Sequence, residues 1–158
     1  EHGASCRIFE ATVEVNAAQK ARKVKKIPEA QGCSESCTTI AVLCQTFKPE
    51  TDDMRDSPSR AIIPNLIDKG AVINAHDPPG VAEASKLLPA SVCYLDDVYQ
   101  TAEDADAIVL MTEWNEYRGL DFERLKRAMS GNVFVDLRNV YEHSHMTNNG
   151  FQYVCIGR

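Results

Sequence analysis

Thr39-Ile40-Ala41-Val42-Leu43-Cys44-Gln45-Thr46-Phe47-Lys48-Pro49-Glu50-Thr51-Asp52-Asp53-Met54-Arg55-Asp56-Ser57-Pro58 passes from an unbroken apolar run into a charged loop, and this change decides the fold. The run from Thr39 to Cys44 is short and rich in branched residues, which predicts a strand buried on both faces. Ser57-Pro58-Ser59 predicts a helix cap with proline near the first turn. Ile62, Ile63, Leu66 and Ile67 continue that helix until Gly70. A second apolar segment from Ala71 to His76 completes a strand, loop, helix, strand unit. In such sheets ligands sit outside the carboxyl ends of the strands, so Lys48 and Arg55 fall where an anion would bind. The loop contains no glycine, so it is not the G-x-G-x-x-G turn whose backbone approaches a pyrophosphate. Side-chain cations must take the place of backbone amides.

Outward from this unit the alternation continues. Helices are expected near Val81 to Leu88, Val98 to Ala105 and Asp121 to Met129. Strands are expected at Val92 to Leu95, Ala107 to Met111 and Val133 to Asp136, with Tyr153 to Ile156 as a last edge strand. The pattern predicts an α/β fold: a Rossmann-like, mostly parallel sheet with helices on both faces. Upstream, Phe9, Val13, Ala17, Ala21, Val24 and Ile27 form one stripe of a long helix from about Ser5 to Ile27. Lys20, Arg22, Lys23, Lys25 and Lys26 crowd its end, where cations suit the helix dipole, so they are read as structural. Three parts follow: a helix over 1–30, a linker over 31–38 and an α/β domain over 39–158.

Composition limits the function. The 158 residues are 44% hydrophobic and 25% charged, which suits a globular domain with one core. A net charge of -6 and a pI of about 5.2 leave no nucleic-acid footprint. No transmembrane-length apolar run and no charged-then-apolar leader is found, which points to a cytoplasmic location with no membrane partner. The six cysteines are read as reduced thiols, because Cys33 and Cys37 have no downstream partner pair for zinc. Cys44, Cys93 and Cys155 fall within expected strands, where a thiol acts as a small apolar group. His143 and His145 lie in a surface segment and are not expected to bind metal.

Several separated motifs carry a resemblance. The loop from Thr46 to Pro58, Thr112-Glu113-Trp114-x-Glu116-Tyr117, Val135-Asp136-Leu137-Arg138-Asn139 and the closing Gly150-Phe151-x-Tyr153-x-x-Ile156-Gly157-Arg158 resemble the C-terminal domain of the UDP-glucose 6-dehydrogenases, in the UDP-glucose/GDP-mannose dehydrogenase family. Asn16-Ala17-Ala18-Gln19-Lys20 is similar to the end of that family's central helix. The resemblance spans nearly the whole chain.

It implies oxidation of the UDP-glucose C6 hydroxyl with two NAD, through a cysteine-bound intermediate. Phe47, Lys48 and Arg138 match positions that contact UDP-glucose, and Arg55 matches one that reaches NAD. It also implies a homo-oligomer formed through the N-terminal helix. Asp52, Asp53 and Asp56 are expected to hold the loop, Trp114 to belong to the core and Thr112 to end a strand. The family's nucleophilic cysteine lies in a Gly-Gly-Ser-Cys-Phe-Pro-Lys-Asp motif that Gly3-Ala4-Ser5-Cys6 matches only in its first half, so Cys6 is not taken as the nucleophile. The resemblance therefore implies a UDP-sugar-binding portion, inactive alone. Three positions depart from the family: Cys44 stands for the usual glycine, Gln45 for an apolar residue and His76 for an aromatic. A receiver-type signalling domain, with Asp96 as phosphoacceptor, and a non-catalytic nucleotide-binding or dimerisation module are the alternatives.

Overall fold

A computed structural model describes residues 38–46, 52–55 and 57–156. The expected N-terminal helix and the linker up to residue 37 lie outside the described residues. The elements, in chain order, are β1 (Thr39–Leu43), α1 (Ser59–Asp68), β2 (Val72–His76), α2 (Val81–Leu87), β3 (Cys93–Tyr94), α3 (Val98–Thr101), β4 (Ala107–Leu110), α4 (Asn115–Arg118), α5 (Phe122–Ala128), β5 (Val133–Asp136), α6 (His143–Asn148) and β6 (Gln152–Cys155).

All six strands pair parallel in the order β3-β2-β1-β4-β5-β6. Side chains alternate across each strand, so β1 feeds two apolar layers. Ile40 and Val42 join Ile62, Ile63, Ile73 and Val109 on one face. Ala41 and Leu43 join Ile108, Leu110, Leu125 and Phe134 on the other. Burial on both sides explains why the strands read as continuous apolar runs. Among the described residues no helix is long and apolar enough to cross a membrane.

The strand order contradicts the receiver reading, whose sheet runs 2-1-3-4-5. Asp96 is exposed beyond the short strand β3. Several boundaries also move. β3 keeps two residues because its pairing is confined to Asn74 and Ala75 of β2. α3 ends at Thr101, and Asp97 caps it by accepting from Tyr99 N and Gln100 N. Asp121 is the cap of α5 rather than its first residue. β6 begins one residue early and runs parallel to β5. Cys93 lies in a strand but is exposed, because β3 is the sheet edge, while Cys44 and Cys155 are buried. His143 and His145 belong to α6, a helix not anticipated, and both are exposed.

Candidate functional site

The strand order reverses between β1 and β4: β2 and β3 lie on one side and β5 and β6 on the other. Doubly wound sheets bind nucleotides outside the carboxyl ends of the strands at such a reversal, which here is the end of β1 and β4. The chain at that end is held by buried side chains.

Asp77, just past β2, is the first of them. Its Oδ2 accepts from Gln45 N at 2.6 Å and Thr46 N at 2.9 Å, and its Oδ1 from Gly80 N at 3.2 Å. Gly80 has to be glycine, since a Cβ there would sit 2.6 Å from Thr46 Cγ2 and 2.8 Å from Asp77 Cγ. Thr112, past β4, donates its hydroxyl to the Thr46 carbonyl at 2.6 Å. Ser59 Oγ donates to the Gln45 carbonyl at 2.7 Å, and Ser57 Oγ donates to the same oxygen. Ser57 Oγ also accepts from Ser59 N at 3.1 Å, so the serines expected to cap α1 both bond its first turn and tie it to β1, while the N-cap position itself is Pro58, with no side-chain cap bond. The peptides of Gln45 and Thr46, where the cationic loop is rooted, are fixed on every side.

A second carboxylate does the same at β5. Buried Asp136 accepts from Arg138 N at 2.8 Å, Val140 N at 2.7 Å, Tyr141 N at 3.2 Å and the Tyr153 hydroxyl at 2.8 Å. Asn139 takes a φ of 57° and uses its amide on both N and O of Ile156, at 3.0 Å each. This turn presents Arg138, whose Nη2 reaches Glu113 Oε1 at 3.5 Å. Glu113 Oε2 is in turn bonded by Arg118 Nη2 at 3.2 Å. Arg138 from β5 and the Thr112-Glu113 end of β4 thus meet, and Thr112 touches the root of the loop after β1.

Phe47 and Lys48 lie outside the described residues. Arg55 is described: its Nε and Nη2 each meet the Asp53 carboxylate at 3.0 Å, and its side chain is 89% exposed. Trp114 packs against the second core layer as expected, with its Nε1 buried and unpartnered among the described residues. Both side-chain atoms of Gln45 are likewise buried without a partner among the described residues.

The centre of this end is buried, with Cys44, His76 and Tyr117 at 0–1% exposure. Tyr117 donates its hydroxyl to the His76 carbonyl at 3.1 Å and lies 2.9 Å from His76 Nδ1. Cys44 holds a φ of 58°, a left-handed conformation that favours glycine. Burial, reinforced by the Asp77 charge, pushes its thiol up to about 12. Burial, then the hydrogen bond to and charge of Asp136, drives the Tyr153 hydroxyl well above the ordinary tyrosine value. Neither group can ionise near neutrality, so they serve as packing and hydrogen-bonding groups. Among the described residues no cluster of His, Cys, Asp or Glu could hold a metal ion.

The sequence singles out Arg138 and Arg55 as expected contacts, gives no sign of the roles of Asp77, Asp136 and Glu113, and reads Thr112 only as a strand end. An aspartate closing a buried strand ahead of a turn was the available signal, since such residues bond nearby backbone.

The sequence profile of the UDP-glucose/GDP-mannose dehydrogenase family, UDP binding domain, matches residues 41–143. Over 158 residues the chain is 45% identical to a UDP-glucose 6-dehydrogenase of Rhizobium meliloti (strain 1021), covering 100% of this chain and 36% of that protein. It is 37% identical over 152 residues to a UDP-glucose 6-dehydrogenase of Bacillus subtilis (strain 168), covering 96% and 33% respectively. Among solved structures it is similar to a UDP-glucose dehydrogenase from the hyperthermophilic archaeon Pyrobaculum islandicum, with a TM-score of 0.76 at 28% identity, over 98% of this chain and 33% of that one. The chain spans about a third of the length of the curated relatives it matches. A parallel sheet whose order reverses at β1 and β4, with a profile match over more than half the sequence, means that the chain belongs to the UDP-glucose/GDP-mannose dehydrogenase family and corresponds to its UDP-binding domain.

Proposed function

We propose that the carboxyl end of β1 and β4 binds the nucleotide sugar of an NAD-dependent UDP-glucose 6-dehydrogenase, which converts UDP-glucose, two NAD and water to UDP-glucuronate and two NADH. The observation that carries this reading is the meeting of Arg138 with Glu113, next to the Thr112 that ties β4 to the root of the loop after β1. A guanidinium there offers a planar fork to phosphate or sugar oxygens. Lys48 supplies a point charge and Phe47 an apolar wall. Asp77, Asp136, Ser57, Ser59 and Thr112 act by holding backbone, so Arg138 meets ligand from a turn already tied down.

NAD accepts the hydride when bound. Arg55 suits one of its phosphates, because an ion pair as exposed as Arg55 with Asp53 is easily surrendered. The 158 residues contain no G-x-G-x-x-G turn, so this chain offers NAD one side-chain contact rather than a cradle. Dimerisation through the N-terminal helix belongs to the same proposal.

Calorimetry with UDP on the wild type and on Lys48→Ala and Arg138→Ala tests the site. Each substitution should weaken binding about tenfold or more, as expected for a charge-assisted bond. Undiminished binding in both variants overturns the assignment. Mixed with UDP-glucose and NAD, the chain alone should show no rise in NADH absorbance.

A further inference from the structure

Glu113 lies between two guanidinium groups, Arg118 at 3.2 Å on Oε2 and Arg138 at 3.5 Å on Oε1. The two contacts differ in kind. Arg118 is five residues from Glu113 in sequence, at the end of α4, and follows it wherever the β4–α4 connection goes. Arg138 arrives from β5 and makes a single long bond, with its side chain 37% and that of Glu113 38% exposed. A pair so long and so wet is weak. A diphosphate can offer the same guanidinium two oxygens in a fork, which is stronger.

We infer that Glu113 is a positioning residue that holds Arg138 at this end of the sheet as an exchangeable counter-ion, and that an incoming nucleotide diphosphate takes Arg138 from it while Arg118 keeps Glu113 neutralised. This rests on the reading of Arg138 as a ligand contact. The carboxylate competes with the ligand for one cation, and Arg118 sets how strongly it competes. Removing the negative charge should therefore tighten ligand binding. Removing Arg118 should weaken it, by leaving the whole carboxylate charge to Arg138.

UDP binding by calorimetry at fixed ionic strength, on variants whose melting temperatures match the wild type, tests the inference. Glu113→Gln should bind UDP about two- to fivefold more tightly and Arg118→Ala less tightly by a similar factor, the range of an exposed ion pair. In an Arg138→Ala background both effects should vanish, whereas a general effect of net charge would persist there. Unchanged or weaker binding by Glu113→Gln, or a gain that survives Arg138→Ala, overturns the inference. If Arg138→Ala binds UDP as the wild type does, the underlying site reading fails and takes this inference with it.

Discussion

The hydroxyl of Thr112 donates to the carbonyl of Thr46 at 2.6 Å, joining the ends of β4 and β1 across 66 positions of sequence. Both residues are 0–1% exposed, so the bond forms away from water, at the point where the two strands' loops part. Thr112→Val keeps the shape and removes the tie. Stability should fall by about 1 kcal/mol, the net worth of one such bond. UDP affinity should fall with it. Urea denaturation alongside calorimetry reads both, and a stable variant with loosened binding would still support the tie as a loop anchor.

Asp77 carries more. Three backbone N–H groups end on its carboxylate, and Asp77→Ala leaves them to find other partners in a buried region. A loss of about 3 kcal/mol or more in urea denaturation is expected. Asp77→Asn keeps an acceptor and should lose less. Equal stability of the alanine variant and the wild type would contradict this account.

Gln45 points the other way. Its side-chain amide is fully buried with neither atom partnered among the described residues, a cost that an apolar residue of similar shape avoids. Gln45→Leu should raise the melting temperature by about 2–4 °C, corresponding to roughly 1 kcal/mol in a chain of this size. A fall on thermal denaturation would mean that the amide has a stabilising partner.

Alkaline pH should weaken the fold through Cys44. The folded thiol stays protonated to about 12, whereas an unfolded cysteine ionises near roughly 8.5. Above that lower value the unfolded chain binds fewer protons than the folded one, so stability declines as pH rises. The slope approaches about 1.4 kcal/mol per pH unit until the folded value is reached. Buried Tyr117 and Tyr153 and half-buried Tyr141, all shifted upward by desolvation first, add the same sign at higher pH. Urea midpoints at pH 7 and pH 10 should separate less in Cys44→Ala than in the wild type.

Thiol chemistry should follow exposure. Cys93 is exposed while Cys44 and Cys155 are buried. Brief alkylation at neutral pH followed by peptide mass mapping should label Cys93 well ahead of the other two. Labelling Cys44 first would place it outside the buried cluster.

The parts of this protein that were legible in sequence are those encoded by neighbours in the chain. β5 occupies Val133–Asp136 as expected and α1 holds its predicted apolar face, because burial on both sides or on one stripe leaves a local pattern. α3 stops at Thr101, short of the expected Ala105, and the short helices α4 and α6, of four and six residues, left none. A helix that short has too few turns to show a 3.6-residue period. The site divided similarly. Arg138 and Arg55 stand at motif positions, but the partners that hold this end of the sheet lie far off in sequence: Asp77 is 32 residues from Gln45, and Glu113 is 25 from Arg138.

By itself the amino-acid sequence determined that strands and helices alternate, that the strands are buried on both faces, and that cations follow β1 and β5. Hydrophobic periodicity and turn chemistry act over a few residues, so they can be read along the chain. Only the tertiary structure decided that the strands order as β3-β2-β1-β4-β5-β6, that Asp77 and Asp136 are spent on backbone, and that Arg138 meets Glu113. Those outcomes depend on which distant segments come to lie side by side in the sheet, and no window along the chain contains both partners.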